Sequence, residues 1–561
     1  MTVLVGFDLS TRHSPLAWAA TVLCVAATVP AGLRWLRVAQ REHYLAGSAS
    51  RFAVRWWTAE RSSVILLVAA AVAAVESVFW PVAGVVVALV VAAGPVGLAV
   101  RGRTSPLAWT RRLRTLAGVW AVLQLLVLGI GLLTGLALYL AMLGAVAVPV
   151  LVDAACAVTA PVERRLAGTF VARAGERLRR VDPVVVGITG SFGKTSTKNH
   201  LVHLVQGSRT VVATPASFNN RAGLARAVNE QLADGTEVFV AEMGTYGPGE
   251  IADLCRWCPP NVAVITAIGP VHLERFKSEG RILEAKSEIT VGAEHVVLPV
   301  DDARLAALAD QLEASGRSVV RVSGTGAGDD DRPEPRVVVT GDGTALVVSV
   351  DGAEIARVAA APPGVHPRNL ACAVGVAVVL GIPPEAVGAR VATLGGVEHR
   401  LHAVASDGGF AILDDTYNSN PSGAAEALRT LVATGSGPGT DPGPGAVDGA
   451  APGEGPGTEP DPATGTSTET VRRVVVTPGM VELGERQGSE NRTFAAAAAA
   501  VASDLVVVGR TNRRALVDGA RSGRAAVTLV ADRQAAVDWV RRHLGPGDVV
   551  LYENDLPDHY P

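Results

Sequence analysis

Five long apolar runs fill the first 158 residues of this 561-residue chain: Leu16–Leu33, Val64–Phe79, Val82–Val100, Leu116–Thr134 and Leu136–Val158. They constrain the fold more than any other feature. A helix needs roughly 17–25 apolar residues to cross the hydrocarbon core of a bilayer, and most of these runs meet that length. The second is short, and the last two are nearly fused. Arginines punctuate them. Arg34, Arg37, Arg41, Arg51, Arg55 and Arg61 follow the first run; Arg101, Arg103, Arg111, Arg112 and Arg114 follow the third. Arg164, Arg165, Arg173, Arg177, Arg179 and Arg180 follow the last.

Basic segments stay on the cytoplasmic side. The pattern therefore predicts residues 1–160 as an α-helical membrane domain of about five spans, N-terminus outside. The chain is expected in the plasma membrane as a multi-pass protein, with everything beyond Val158 cytoplasmic and the bilayer as a partner. The first run has no basic segment before it and no small-residue cleavage site after it, so it does not read as a removed signal. Trp18, Trp35, Trp56, Trp57, Trp80, Trp109 and Trp120 lie in or beside the runs, as interfacial belts do. Glu76, near a span end, reads as snorkelling to the interface or as a polar contact in the membrane. A mean hydropathy of +0.31 excludes a purely soluble chain. A net charge of −3 gives no global pull on nucleic acid, and no nucleic-acid partner is expected.

Residues 161–181 read as a basic juxtamembrane linker helix. From Asp182 short Val/Ile runs alternate with helical segments: Val184–Thr189, Thr210–Thr214, Glu237–Glu242, Val262–Thr266 and His295–Pro299. That alternation predicts an α/β domain with a parallel sheet over 182–393. Gly-punctuated strands, read as hairpins, are expected within Val319–Val350. A second α/β pattern covers 394–561, with strands near Phe410–Leu413, Arg473–Thr477, Asp504–Val508, Ala526–Val530 and Val549–Tyr552. Residues 435–470 are almost wholly Gly, Pro, Ala, Thr, Ser, Asp and Glu, too polar to bury a core, and read as a disordered insertion. The five cysteines give no disulfide framework. Cys255 and Cys258 form a lone CxxC without the second pair that a structural zinc site needs, and read as small residues at a helix end.

The segment Val184-Val-Val-Gly-Ile-Thr-Gly-Ser-Phe-Gly-Lys-Thr-Ser is a strand, a Gly-rich turn and a helix start. Gly190 and Gly193 let backbone N–H groups approach phosphate, Lys194 can neutralise phosphate charge, and the Thr195 hydroxyl can bind Mg²⁺. The full P-loop pattern is not met, because Ile188 stands at its first glycine; the shorter G-x-x-G-K-T is met. Glu242 ends one apolar strand and His272 follows the next. In a parallel sheet these strand ends face the ligand crevice, so Thr195, Glu242 and His272 are expected to converge as a divalent-metal cluster.

Nine ordered stretches resemble the Mur ligase family, the ATP-dependent amide-forming enzymes of cell-wall precursor synthesis, and most resemble its branch that adds D-alanyl-D-alanine. They are Thr189-Gly-Ser-Phe-Gly-Lys-Thr-Ser, Ser217-Phe-Asn-Asn-Arg-Ala-Gly, Ala241-Glu-Met-Gly, His272-Leu-Glu, Glu284-Ala-Lys-Ser-Glu-Ile, His366-Pro-Arg-Asn369, Glu398-His-Arg-Leu, Asp414-Asp-Thr-Tyr-Asn-Ser-Asn-Pro and Met480-Val-Glu-Leu-Gly. The resemblance covers about Val184 to Leu551. It implies a P-loop ATPase domain followed by a Rossmann-like C-terminal domain. It further implies that Gly190, Ser191, Gly193, Lys194, Thr195 and Ser196 hold ATP, with Asn369 at the adenine, Arg400 at phosphate and Asp415 at the ribose. Thr195 would bind a first Mg²⁺ and His272 a second, with Glu242 bridging the two metals and Lys286 carbamylated by CO₂ to position the second. Lys194, Lys286 and His272 would be the catalytic groups, and Asn219, Asn220, Tyr417, Asn418 and Asn420 would line the substrate cleft. The implied chemistry activates a carboxylate as an acyl phosphate, which an amine then attacks.

Several positions depart from the family pattern. The UDP-sugar-binding N-terminal domain is replaced by the apolar runs, which suits a lipid-linked carboxylate as well as a soluble one. Ile265-Thr-Ala stands for Ile-Thr-Asn, Pro299 or Val300 for an asparagine, and Asn491 for a histidine. The end, Leu551-Tyr-Glu-Asn-Asp-Leu-Pro-Asp-His-Tyr, replaces a lysine-glycine-serine segment; it reads an amine substrate or caps the last strand. A poly-γ-glutamate-type or other amino-acid ligase is an alternative, as is an ATP-driven transporter or tethered nucleotide-binding module. Against transport, there is no LSGGQ-like signature. Only four of the 50 basic residues are lysine: Lys194, Lys198, Lys277 and Lys286. All four fall around the expected ATP site, where arginine cannot replace a compact amine.

Overall fold

The computed structural model describes residues 14–59, 61–101, 106–215, 218–326, 333–341, 345–359, 365–395, 402–406, 408–416, 420–434, 471–556 and 560. The proposed insertion 435–470 lies outside them, as do Arg400, Tyr417 and Asn418.

The apolar runs fold as helices α1 (Pro15–Arg41), α2 (Ser48–Ala59), α3 (Arg61–Glu76), α4 (Gly84–Ala93), α5 (Arg111–Thr134), α6 (Ala137–Val146) and α7 (Val148–Val181). Ser14 and Thr110 cap α1 and α5 by accepting from the first-turn N–H groups of Ala17 and Leu113. Small residues let the helices approach closely: Ala20, Cys24, Ala27 and Ala31 of α1 pack with Val87, Leu138, Ala141 and Met142 in one buried cluster. Among the described residues, only α1 and α5 are by themselves long and apolar enough to cross a membrane; up to four crossings result if each bent helix pair is one span. The run Val82–Val100 supplies only the ten residues of α4 and then leaves helical form.

Helix α7 revises the expected linker. It runs unbroken for 34 residues from the apolar unit into the basic segment. Its stripe Val171, Ala174 and Leu178 is buried in the core of the following domain, beside Leu224, Val228 and Leu232. The Arg177 guanidinium donates to Leu232 O at 2.7 Å and Asn229 O at 3.2 Å. The C-terminal part of this helix, from Val171 to Leu178, is therefore part of the central domain's packing.

That domain is built on a nine-stranded sheet in the order β2-β3-β1-β4-β5-β6-β7-β8-β9. Its strands are β1 (Val184–Thr189), β2 (Val211–Ala213), β3 (Val238–Glu242), β4 (Val262–Ile265), β5 (His295–Pro299), β6 (Ser318–Ser323), β7 (Val337–Gly341), β8 (Ala345–Val350) and β9 (Ala353–Ala359). The pairs from β2 to β7 are parallel, and β7–β8–β9 is an antiparallel meander. Strands β1, β3 and β4 are buried almost throughout, as parallel strands covered on both faces must be. The C-terminal domain has β10 (His402–Ala405), β11 (Ala411–Asp415), β12 (Arg473–Thr477), β13 (Asp504–Val508), β14 (Ala526–Val530) and β15 (Val549–Glu553) in the order β10-β11-β15-β12-β13-β14. All its pairs but β10–β11 are parallel.

In the C-terminal domain, helices Gln487–Val501 and Arg513–Ala520 cross at a glycine. A Cβ on Gly519 would lie 2.2 Å from Arg492 O and 2.8 Å from Arg492 Cα, both backbone atoms that cannot yield. Gly519→Ala is expected to cost about 1–3 kcal/mol by forcing the two helices apart. Thermal denaturation of the variant beside wild type measures it.

Candidate active site at the phosphate loop

The loop after β1 is held from three sides. Gly190 (φ 153°) and Gly193 (φ 84°) adopt backbone angles that side chains disfavour. A Cβ on Gly190 would fall 2.0 Å from Thr266 Oγ1, and one on Gly193 2.2 Å from Asn369 Oδ1. Ser191 N donates to Ala267 O at 2.8 Å, its hydroxyl to Gly269 O at 3.1 Å, and the Thr266 hydroxyl to Phe192 O. Gly193 is the residue before helix α8 (Lys194–Val205), so the loop ends at that helix's N-terminus, where free N–H groups favour anions.

Two lysines meet at one carbonyl. Lys194 Nζ donates to Gly190 O at 2.8 Å and Lys286 Nζ to the same oxygen at 3.0 Å. Burial, reinforced by the neighbouring Lys194 charge, holds Lys286 well below the ordinary lysine range. Both lysines thus brace the loop through the Gly190 carbonyl.

Glu242, at the end of β3, is the second centre. Its Oε2 accepts from the Thr195 hydroxyl at 2.9 Å and pairs with Lys198 Nζ at 3.3 Å, while Asn219 Nδ2 donates to Oε1 at 3.2 Å. Lys198 also donates to Thr214 O at 2.8 Å. A hydroxyl and a carboxylate beside a phosphate loop fit one Mg²⁺. No group of three or more His, Cys, Asp or Glu able to hold a metal occurs among the described residues. His272 instead points its Nδ1 at Glu482 of the C-terminal domain. Its ring sits edge-on to Tyr246, with centroids 4.8 Å apart. Burial raises the Glu482 carboxyl, but His272, Arg275 and Arg55 outweigh it and hold the group at about 2.

The other expected residues divide. Ser196 is buried in the first turn of α8, and Asn369 lies against Gly193. Asn220 and Asn420, expected in the substrate cleft, are helix caps: their Oδ1 atoms accept from Gly223 N at 2.9 Å and Gly423 N at 3.0 Å. Cys258 is buried at the end of helix Glu250–Trp257, and both thiols of the CxxC are raised by burial. Asn491 is fully buried and holds the loop before Glu482, accepting from Met480 N at 2.8 Å and donating to Met480 O at 2.9 Å. Thr266, Tyr246 and Arg275 were not legible as site residues. Lys198 stood out by its scarcity as a lysine one helical turn beyond Lys194, and Glu482 only as a member of the stretch Met480-Val-Glu-Leu-Gly.

Asp415 and Glu553 are register partners at the ends of β11 and β15. Glu553 is fully buried and accepts from the Thr477 hydroxyl at 2.6 Å. It caps the last strand from within and cannot read a substrate from solvent.

Comparison with known proteins agrees with this geometry. The Mur ligase middle domain model matches residues 188–377, and the Mur ligase, glutamate ligase domain model matches residues 463–552. The UDP-N-acetylmuramoyl-tripeptide--D-alanyl-D-alanine ligase of Mycobacterium leprae is 32% identical over 396 residues, 65% of this chain and 70% of that protein. The chain belongs to the Mur ligase family. It is accordingly a ligase of that ATP-dependent type. The Bacillus subtilis enzyme of the same name is 31% identical over 255 residues, 45% of this chain and 53% of that protein. MurF from Acinetobacter baumannii superposes with a TM-score of 0.54 at 20% identity, covering 69% of this chain and 77% of its own. MurF from Thermotoga maritima, solved in complex with ADP, superposes at 0.53 with 24% identity, covering 69% and 80%. These two share the fold. Helices α1–α7 lie outside the residues that the family models match.

Two outcomes follow from the buried groups of this Mur ligase. A guanidinium stays charged and is broader than the buried Lys286 amine beside Lys194, so Lys286→Arg should lose more stability than Lys286→Met, by about 1–3 kcal/mol in thermal unfolding. Burial, with Asp415 adding to it and the Thr477 bond opposing it, pushes the Glu553 carboxyl up from 4.5 to about 8. The folded state then holds a proton that the unfolded chain releases. Stability from this group is full below pH 4.5 and is lost as pH rises through about 8. The fall in apparent Tm across that window should be shallower in Glu553→Gln than in wild type.

Proposed function

We propose that this Mur ligase joins D-alanyl-D-alanine to a muramyl-tripeptide carboxylate at the cytoplasmic face of the plasma membrane, the carboxylate being presented on a lipid carrier. The similarity to D-alanyl-D-alanine ligases over 65% of the chain supports the reaction. The carrier is supported by one observation above others: a unit with broad exposed apolar faces packs against the ligase domains. Ile65, Val68 and Val75 on α3, and Leu125, Leu126 and Leu133 on α5, are between 56% and 90% exposed. Faces of that kind are costly in water and favourable in lipid.

In this reading the loop N–H groups and Lys194 hold the ATP phosphates. Thr195 and Glu242 would hold Mg²⁺, which supplies charge neutralisation as the γ-phosphoryl group transfers. The donor carboxylate attacks the γ-phosphorus and ADP leaves. The amine of the second substrate attacks the acyl phosphate carbonyl, phosphate departs, and the nitrogen loses its proton as the amide forms. Asn369, against Gly193, would face the nucleotide, and Asp415 would meet it from the C-terminal domain. The carbamate expected on Lys286 has no support from the relatives named above; the role proposed for that residue is the brace on Gly190.

The test is phosphate release by the full chain in lipid nanodiscs with ATP and Mg²⁺. Release should require D-alanyl-D-alanine together with a muramyl-tripeptide donor, and the lipid-linked donor should give the higher kcat/KM. A preference for the soluble UDP-linked donor removes the carrier from the proposal. Release with glutamate alone would replace it with a polymer-forming ligase. Gly193→Ala, whose added Cβ meets Asn369, should lower release at least about tenfold.

A further inference from the structure

The helical unit reaches the ligase cleft through two ion pairs and a ring column. Glu42, at the end of α1, pairs with Arg275 at 3.1 Å, the two side chains only 7% and 14% exposed. Arg55 of α2 pairs with Glu274 at 2.9 Å. Both partners belong to the four-residue helix Leu273–Phe276 that directly follows His272. Arg275 also lies over the Tyr246 ring, 4.6 Å from its centroid. His43 packs against the other side of this assembly, 5.6 Å from Tyr246 by centroids. The column His43, Tyr246, His272, Glu482 thus joins the helical unit, the central domain and the C-terminal domain at one place. Tyr560 closes the clasp from the chain's other end, edge-on to Phe52 at 5.0 Å and beneath Arg55 at 5.5 Å.

Backbone strain gathers at the same place. Eight described non-glycine residues have left-handed φ, and five of them, His43, Tyr44, His272, Lys277 and Glu482, belong to these segments. Such conformations persist only where surrounding contacts over-determine them, and they cluster at functional sites. His272 and Lys277 bracket the helix that Glu42 and Arg55 hold.

We infer that the α1–α2 segment is a third wall of the ligase cleft, in which Glu42 and Arg55 are positioning residues that hold the 272–277 turn, and with it His272, against the C-terminal domain. This rests on the cleft being the ligase site. The helical unit then does more than anchor: without these contacts the strained turn relaxes, and the two ligase domains lose their shared contact at His272 and Glu482.

The test uses the full chain in nanodiscs with two readouts. Hydrogen exchange follows the 273–277 amides, with helix α8 as internal control, and phosphate release gives kcat and KM for ATP. Glu42→Lys should speed exchange at 273–277 about tenfold while α8 stays protected. It should lower kcat about tenfold with KM for ATP within about twofold. Glu42→Asp, which keeps the carboxylate, should return both to within about threefold of wild type. Glu42→Gln, which does not repel Arg275, should move both in the same direction as Glu42→Lys by a smaller factor. Unchanged exchange in Glu42→Lys and Glu42→Gln overturns the inference. So does faster exchange with wild-type kcat. If no substrate pair drives phosphate release, the ligase reading fails by itself, and the exchange readout still decides whether Glu42 holds the turn.

Discussion

One backbone carbonyl organises the catalytic half of the molecule. Gly190 O accepts from Lys194 and from Lys286, and two ammonium groups cannot share one buried oxygen without large repulsion. Burial and the neighbouring Lys194 charge ease the conflict by lowering the Lys286 ammonium's hold on its proton. The arrangement explains why lysine survives here in a chain otherwise rich in arginine: a guanidinium stays charged and is too broad for the place. Around the loop, Thr266, Ser191 and Asn369 close the gaps that Gly190 and Gly193 leave. The second centre, Glu242, follows because β1 and β3 are paired in register, Ile188 beside Glu242. That pairing brings a strand-end carboxylate to the hydroxyl of Thr195.

Much of this was legible from residue patterns. Strands β1, β5, β12, β13 and β14 have the bounds expected from their Val/Ile runs, because buried parallel strands are continuous apolar segments with little ambiguity of period. The phosphate loop was legible because glycines, a lysine and a threonine have a local geometric job. What could not be read was the pairing of His272 with the C-terminal domain. His272 sits two positions before Glu274, and nothing local says that its ring meets Glu482, 210 residues further on. Asn220 and Asn420 matched family stretches yet serve as helix caps, a role that any polar residue before a helix can take. The linker segment is helical as its pattern suggests, and the stripe Val171, Ala174 and Leu178, which no local signal ties to a distant partner, buries its far part in the central domain.

The departures from the family pattern acquire local explanations. Asn491, standing for a histidine, holds the loop that aims Glu482 at His272. The altered C-terminal segment turns its carboxylate inward at Glu553 and its last described residue onto the helical unit at Tyr560. Both changes belong to the same adjustment, in which a helical bundle occupies the flank of the ligase domains.

Helix α7 has a mechanical consequence. It rises about 50 Å from the apolar bundle and gives way to β1 after only Asp182 and Pro183. Strand β1 in turn ends at the phosphate loop. The chain from Val148 to Gly193 is thus one helix with Pro161 in its interior followed by one strand, fastened along its far half by Val171, Ala174, Leu178 and Arg177. A rotation or tilt of the bundle would act as a torque delivered at the nucleotide end of the sheet, rather than being absorbed by a slack tether. Bundle orientation and loop geometry are therefore coupled variables in this molecule, and the lever that couples them is a continuous piece of secondary structure.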